Sequence, residues 1–398
     1  MKGQSLYIHI QFLLVALAIA IFTLGYTYFT LFTGLFILAT SYPAFRLPKN
    51  TFIFYLIIAL AGASIAGVMI GIDAFPDAET KNVLLRIRYF LIRILFAMSV
   101  CIFLMRFSLE KILYLAYLIM LIHLIAGLYQ LVFLDAKRIY MLTSEPSAAA
   151  MYYVFLAPLM IGYYNINKGA RFWIILFLIT GLLTQSKALF LVVPVLIFYF
   201  VIRSENKKIK TAFWIIVIAG VLAAPFIIGL HEVERLIYFI EILKEQGIEG
   251  LTEQNRIWST FTLRFSSVLT ALQLMIEFPW GIGFGGFHSM YIDKMLSDSI
   301  QSTLTGVEIR GILNGELYAT PKSIFLEYAV SCGIFFWVPI LMVSRKALSG
   351  NVPVTIKASF IGLILISLIV ELSPFLTFLG FIMILLHKLS NENNRLLV

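Results

Sequence analysis

Leu84-Leu-Arg-Ile-Arg-Tyr-Phe-Leu-Ile-Arg-Ile-Leu-Phe-Ala-Met-Ser-Val-Cys-Ile-Phe-Leu-Met105 is the stretch whose reading decides the fold. It is long enough to cross the hydrocarbon core of a bilayer as one helix, which takes roughly 20 apolar residues. Comparable apolar runs recur on both sides of it. The predicted spans are 6–23, 26–41, 51–72, 84–105, 109–134, 148–165, 172–184, 188–202, 212–230, 323–343, 354–371 and 375–387. The second, seventh and eighth are short for a crossing, and the tight connection 185–187 also reads as a kink. An all-α, polytopic membrane protein of about 12 transmembrane helices is the fold class expected, because helices satisfy their own backbone polar groups in lipid.

Composition agrees. Of the 398 residues, 61% are hydrophobic and only 13% charged, with mean hydropathy +0.95. A soluble chain cannot cover so much apolar surface with so few polar groups. The net charge of +9 does not point to nucleic acid, because the basic residues are scattered through short connections instead of forming a patch. Cys101 and Cys332 lie inside apolar runs and read as inert small hydrophobes, with no disulfide or CxxC motif available. Residues 1–5 precede an apolar stretch without a small-residue cleavage site, which reads as an uncleaved first span.

Charge sorts the connections into two alternating sets. One holds Arg46 and Lys49, then Arg106 and Lys111, Lys168 and Arg171, Arg203 with Lys207, Lys208 and Lys210, and Arg345 with Lys346. The other holds Asp73, Asp77 and Glu79 with one lysine, then Asp135, Lys137, Arg138 and Glu145, then Lys187, then Glu371. The basic set is expected in the cytoplasm, with both termini. The chain then divides into 1–230 (spans one to nine), an extracytoplasmic loop at 231–322, and 323–398 (spans ten to twelve). That loop is too long for a linker. Val233, Leu236, Ile237, Ile240 and Leu243 repeat at helical spacing up to Gly247 and Gly250. A second helix is expected from Arg256 to Phe278, ending at Pro279-Trp280-Gly281. After the glycines 281–286 comes what reads as a polar segment to Pro321.

A few residues ask for a reason. Arg86 and Arg88 have a bland one, snorkelling to the outer interface. Arg93 lies near mid-depth, where an unpaired arginine costs several kcal/mol or more. It shares a helix face with Arg86, seven residues away, and either a partner such as Glu371 or an anionic ligand in a wet cavity accounts for it. Ser144-Glu145-Pro146-Ser147 reads as a helix start that needs no function. Arg256, Arg264, Gln273 and Glu277 fall on the second loop helix, where solvation is the ordinary explanation. Gly281, Gly283 and Gly285 let backbone N–H groups approach a phosphate or simply make turns. No dinucleotide fold, HExxH, Cys/His cluster or GxSxG is present, and His288 stands alone in the loop. No metal or cofactor is therefore expected. The unusual polar residues share the outer face and are mainly cationic, which suits a lipid-linked phosphate or diphosphate.

Four patches then carry a likeness. Ser144-Glu-Pro-Ser147 opens a span. Leu183-Thr-Gln-Ser-Lys-Ala188 makes a turn with lysine and alanine where arginine and glycine are usual. Arg264 precedes Phe278-Pro-Trp-Gly-Ile-Gly-Phe-Gly-Gly-Phe287, and Ser323-Ile-Phe-Leu-Glu-Tyr-Ala-Val-Ser-Cys-Gly-Ile334 leads out of the loop. In these the chain resembles the O-antigen and capsular polysaccharide polymerases (Wzy-type), within the wider group that includes O-antigen ligases. The likeness runs from about residue 143 to 343, and the first 140 residues add only hydropathy. Lys322-Ser323 stands where the ligases have a histidine–asparagine pair, which favours polymerase.

What the resemblance implies is glycosyl transfer between polyprenyl-diphosphate-linked oligosaccharides on the outer face of a bacterial cytoplasmic membrane. Glu145 and Arg264 are the implied catalytic residues, with Glu327 and Glu371 behind Glu145. Arg86, Arg88, Arg93, Lys187, Arg256, Gly281, Gly283, Gly285 and Ser323 are the implied binding residues. The lipid-linked glycan and the bilayer are the expected partners, nucleic acid is not, and a chain-length regulator protein fits the scheme. An O-antigen ligase and a transporter or flippase of lipid-linked oligosaccharide are the alternative readings. Internal repeats and interrupted midplane helices would favour the transporter, and neither is evident.

Overall fold

The computed structural model describes residues 2–22, 27–41, 46–72, 74, 77–134, 139, 141–143, 146–184, 186–203, 241, 244, 259–298, 307–371 and 374–392. Their regular structure is helical throughout, and no strand occurs among the described residues. The apolar runs become α1 (Lys2–Ala20), α2 (Thr27–Ser41), α3 (Lys49–Gly71), α4 (Asp77–Met105), α5 (Leu109–Phe133) and α6 (Pro146–Ile166). Two shorter helices follow, α7 (Arg171–Leu183) and α8 (Lys187–Arg203). They are separate elements, one ending at Leu183 and the next beginning at Lys187, where a kink was the other reading. Four helices, Lys49–Gly71, Asn82–Met105, Leu109–Phe133 and Pro146–Tyr164, are long and apolar enough to cross a membrane. The ninth predicted span, 212–230, and the loop helix at 233–243 lie outside the described residues.

The second half of the chain supplies α9 (Ser259–Glu277), α10 (Phe287–Ser297), α11 (Val307–Leu313), α12 (Ile324–Cys332), α13 (Ile334–Ala347), α14 (Val354–Ser367) and α15 (Phe375–Glu392). Helices α10 and α11 correct the reading of 287–321 as a polar segment. Phe287, Tyr291 and Met295 recur every fourth residue and are buried, so a helical stripe of few but large apolar residues forms a core where polar neighbours hid the period.

Helices α4 and α6 organise the bundle. The first packs against α2, α3 and α15, the second against α5, α8 and α14. Close approach depends on small residues, as in other helix pairs without a water-driven force between them. A Cβ on Gly362 would strike Val154 of α6, and one on Gly380 would strike Tyr55 and Cys101. Hydroxyls join the layers: Tyr55 donates to the carbonyl of Leu376 (2.7 Å), Tyr152 to that of Ile19 (2.7 Å) and Ser359 to that of Phe155 (2.9 Å). Outside, Phe32, Leu60, Val68, Val132, Phe133, Phe172, Leu341 and Met342 are exposed, an apolar surface that water does not tolerate over such an extent.

At one end of the bundle, Arg106 donates to the carbonyl of Thr40 (2.9 Å) and Lys388 to that of Met105 (3.1 Å), joining the last turns of α2, α4 and α15. At the opposite end, α9, α10 and α11 build a second, smaller core from Leu263, Leu274, Ile282, Phe287, Tyr291 and Ile309, seated on Leu326 and Val330 of α12. The glycine run docks this layer onto the bundle. Gly281, Gly283 and Gly285 have φ of 101°, 79° and 86°, and a side chain on each would collide with a different helix. The obstacles are Ser331 of α12, Ala66 of α3, and Arg86 with Val83 of α4. Between them the Phe284 ring enters the bundle over Gly62, whose carbonyl accepts its N–H (3.0 Å). The same docking breaks the predicted span 323–343 into α12 and α13, because Gly333 (φ 52°) abuts Pro279 and Gly281.

Candidate functional site

Where this layer meets the first turns of α4, charges accumulate. Arg86 and Arg93 lie seven residues apart, two turns, so one helix face presents both at a spacing of about 10 Å. The Arg86 guanidinium lies over the Tyr318 ring, 4.1 Å from its centroid. Tyr318 is itself held in place: its hydroxyl donates to the Gly285 carbonyl (2.9 Å) and its ring stacks on His288 at 4.3 Å. His288 accepts the Ala319 N–H at Nδ1 (2.9 Å). Arg86 and Arg88 line a cavity of about 380 Å³ together with Asn82, Leu85, Tyr89 and Tyr318. Arg88 also faces the Tyr28 ring at 5.6 Å.

Arg93 is only 6% exposed. Its guanidinium covers Tyr89 (3.9 Å to the ring centroid) and faces Phe22 at 5.4 Å. Neither Arg86 nor Arg93 has an ion-pair partner or hydrogen-bond acceptor among the described residues. The expected partner of Arg93, Glu371, is engaged elsewhere: Lys322 lies 3.2 Å from its Oε2 and the Thr320 hydroxyl donates to Oε1. The carboxylate whose charge acts on both arginines is Glu327. It is partly buried, Lys322 and Glu371 act on it as well, and no cationic nitrogen of the described residues comes within 4.0 Å of it. Glu327 thus acts on the two guanidinium groups through space, without an ion-pair contact among the described residues. Below them is an aromatic floor, Phe90 stacked on Phe284 (4.5 Å between centroids) with Tyr328 edge-on at 5.4 Å.

Burying a charge is costly unless it is partnered. Each desolvated ring returns about 2 kcal/mol or more, so Tyr89 and Phe22 offset part of the cost of burying the Arg93 guanidinium.

The other sequence candidates sort around this centre. Arg264 donates from Nη1 to the carbonyl of Ile369 (3.0 Å), satisfying the turn after α14. Ser323 caps α12 by accepting the Leu326 N–H (3.1 Å) and donates to the Ser367 carbonyl (3.0 Å). Both residues bond to carbonyls of the turn at 367–369. The N–H groups of Gly281 and Gly283 are used internally, by Phe278 and Ser331 carbonyls, so these glycines make the turn that seats Phe284. Glu145 and Arg256 lie outside the described residues, as does the Lys187 side chain, although Lys187 itself opens α8. Sequence reasoning ranked Glu327 behind Glu145 and missed Tyr318 altogether. The available signal for Glu327 was a lone acid in an otherwise apolar run.

Among the described residues no three of His, Cys, Asp and Glu are grouped as metal ligands would be. In comparisons with known proteins, no family model matches the chain and no curated protein matches it significantly.

Proposed function

We propose that this chain polymerises polyprenyl-diphosphate-linked oligosaccharide repeats into O-antigen or capsular polysaccharide, as a membrane-embedded glycosyltransferase. It sits in the bacterial cytoplasmic membrane with about 12 spans and both termini inside, an orientation supported by the alternation of basic connections. The residues 231–322 and the arginine end of the bundle then face outward. The observation that carries the proposal is the pair Arg86 and Arg93, two cations on one helix with aromatic rings against them and no ion-pair partner among the described residues.

Polymerisation needs such a pair. As the anomeric bond to the diphosphate breaks, negative charge grows on the leaving group, and fixed cations stabilise that state more than the ground state. Arginine cannot lose its charge and its fork matches phosphate oxygens.

The test is purified full-length protein in lipid nanodiscs, given lipid-linked single repeats as sole substrate. A ladder of longer lipid-linked glycans, formed without added metal or nucleotide, is the expected product. No ladder, from folded protein and from substrate that another polymerase consumes, refutes the proposal.

A further inference from the structure

The first half of α4 carries two surface recesses that meet at one residue. One is the cavity of about 380 Å³ where Arg86 and Arg88 stand with Asn82 and Tyr318, and no carboxylate of the described residues lines it. The other is a groove of about 320 Å³ lined by Leu84, Ile87, Arg88, Leu91, Ile92 and Leu95. Arg88 belongs to both.

Helical period builds this junction. The groove residues fall at i, i+3, i+4, i+7, i+8 and i+11, which makes them a single stripe. Asn82, Leu85, Arg86 and Tyr89, at i, i+3, i+4 and i+7, form the stripe beside it. Leu84 and Leu91 are exposed, so the apolar stripe faces out of the bundle. From Leu84 to Leu95 it rises about 16 Å, about half the thickness of a hydrocarbon core. The groove thus runs from a charged end to mid-depth, the reach of a lipid in one leaflet.

We propose that the two recesses form one binding site for a lipid-linked diphosphate, which deepens the polymerase reading above and rests on it. The diphosphate lies in the cavity between Arg86 and Arg88, and the first isoprenoid units lie in the groove below. Arg88 takes the phosphate nearest the chain, because it alone borders both recesses.

The cavity is prepared for an anion. The Arg86 guanidinium lies over the Tyr318 ring at 4.1 Å, and Tyr318 is braced by the Gly285 carbonyl and the His288 ring. A cation held in this way loses little freedom on binding, and its fork takes phosphate oxygens bidentately. Snorkelling accounts for an arginine at the end of a span, and bulk lipid fills any shallow groove on a membrane protein. Neither accounts for a groove that ends beside a second guanidinium fixed from the outer layer. The larger recess between α3 and α13, about 460 Å³ and lined by Phe54, Trp280, Phe335 and Met342 among others, has no charged residue in its lining. It offers nothing to a headgroup.

The test is binding by full-length protein in phosphatidylcholine nanodiscs, with polyprenyl diphosphate and inorganic diphosphate as separate probes. Leu84→Trp and Leu91→Trp fill the groove from its exposed side, where added bulk leaves the core alone. Each should weaken polyprenyl diphosphate binding by about tenfold or more and leave inorganic diphosphate within about threefold of wild type. Arg88→Gln should weaken both probes by about tenfold. Leu60→Trp, on the exposed face of α3, should bind both as wild type does. Phosphatidylglycerol added to the nanodiscs should shift polyprenyl diphosphate affinity by less than about threefold. Groove variants that bind polyprenyl diphosphate as wild type does overturn the proposal. So does an equal loss of both probes in those variants, since the groove would then serve only the fold. Displacement by phosphatidylglycerol overturns it too, by making this a site for any anionic lipid. If the binding pattern holds and wild-type protein makes no ladder, polymerisation alone is refuted.

Discussion

The two ends of the helical bundle treat their cations differently. At one end Arg106 and Lys388 donate to the carbonyls of Thr40 and Met105, the unsatisfied groups that every helix leaves in its last turn. Those cations have protein acceptors and water within reach. At the other end Lys322 and Arg264 do comparable work on Glu371 and Ile369, while Arg86 and Arg93 have aromatic rings against them and no acceptor among the described residues. The first kind of cation explains itself through the fold. The second kind has no such acceptor among the described residues, and that difference marks the candidate site more sharply than the number of charges at either end.

Substitutions can break this comparison. The largest effect is expected at Arg93, where Arg93→Gln removes the charge and keeps much of the bulk. Loss of one fixed donor to a developing anion typically costs 10²–10³ in rate, so polymer formation should fall by about that factor. Membrane-inserted protein should stay at wild-type level, because no ion pair is broken. A protein that disappears from the membrane instead would return Arg93 to a structural role. The smallest effect is expected at Arg106. Arg106→Ala loses one exposed hydrogen bond, worth about 1 kcal/mol, and polymer measured in the same cells should remain near wild type. A large loss of polymer there would erase the contrast between the ends.

Much of the fold was legible because apolar length and helical period are local properties. The runs behind α1 to α6, α14 and α15 needed no knowledge of their neighbours. Tertiary contact decided the rest. Gly333 breaks a run that reads as one span, because Pro279 and Gly281 press against it from the loop. The glycine run was visible as unusual, yet only the backbone reveals that it seats Phe284 over Gly62. Arg93 was legible as a problem through its depth. Its proposed partner Glu371 was a reasonable guess by charge, but Lys322 and Thr320, only 49 and 51 residues from it in sequence, take that carboxylate. Glu327 gained its meaning from two arginines more than two hundred residues away, a relation that no periodicity encodes. Tyr318 had no local signal, because its partners come from two distant segments, Arg86 from α4 and Gly285 with His288 from the start of α10.

The central proposal is that Arg86 and Arg93, which have no acceptor among the described residues, bind a diphosphate carried on lipid, and binding tests it without any need for turnover. The measurement is the affinity of nanodisc-held protein for polyprenyl diphosphate, with polyprenol as the uncharged control, for wild type and for Arg86→Gln and Arg93→Gln. The expected result is diphosphate binding that weakens by about tenfold or more in each variant, about 1.4 kcal/mol per lost contact or more, with polyprenol binding weak and unaffected. Equal affinity for polyprenyl diphosphate and polyprenol, or variants that bind the diphosphate as wild type does, would contradict it.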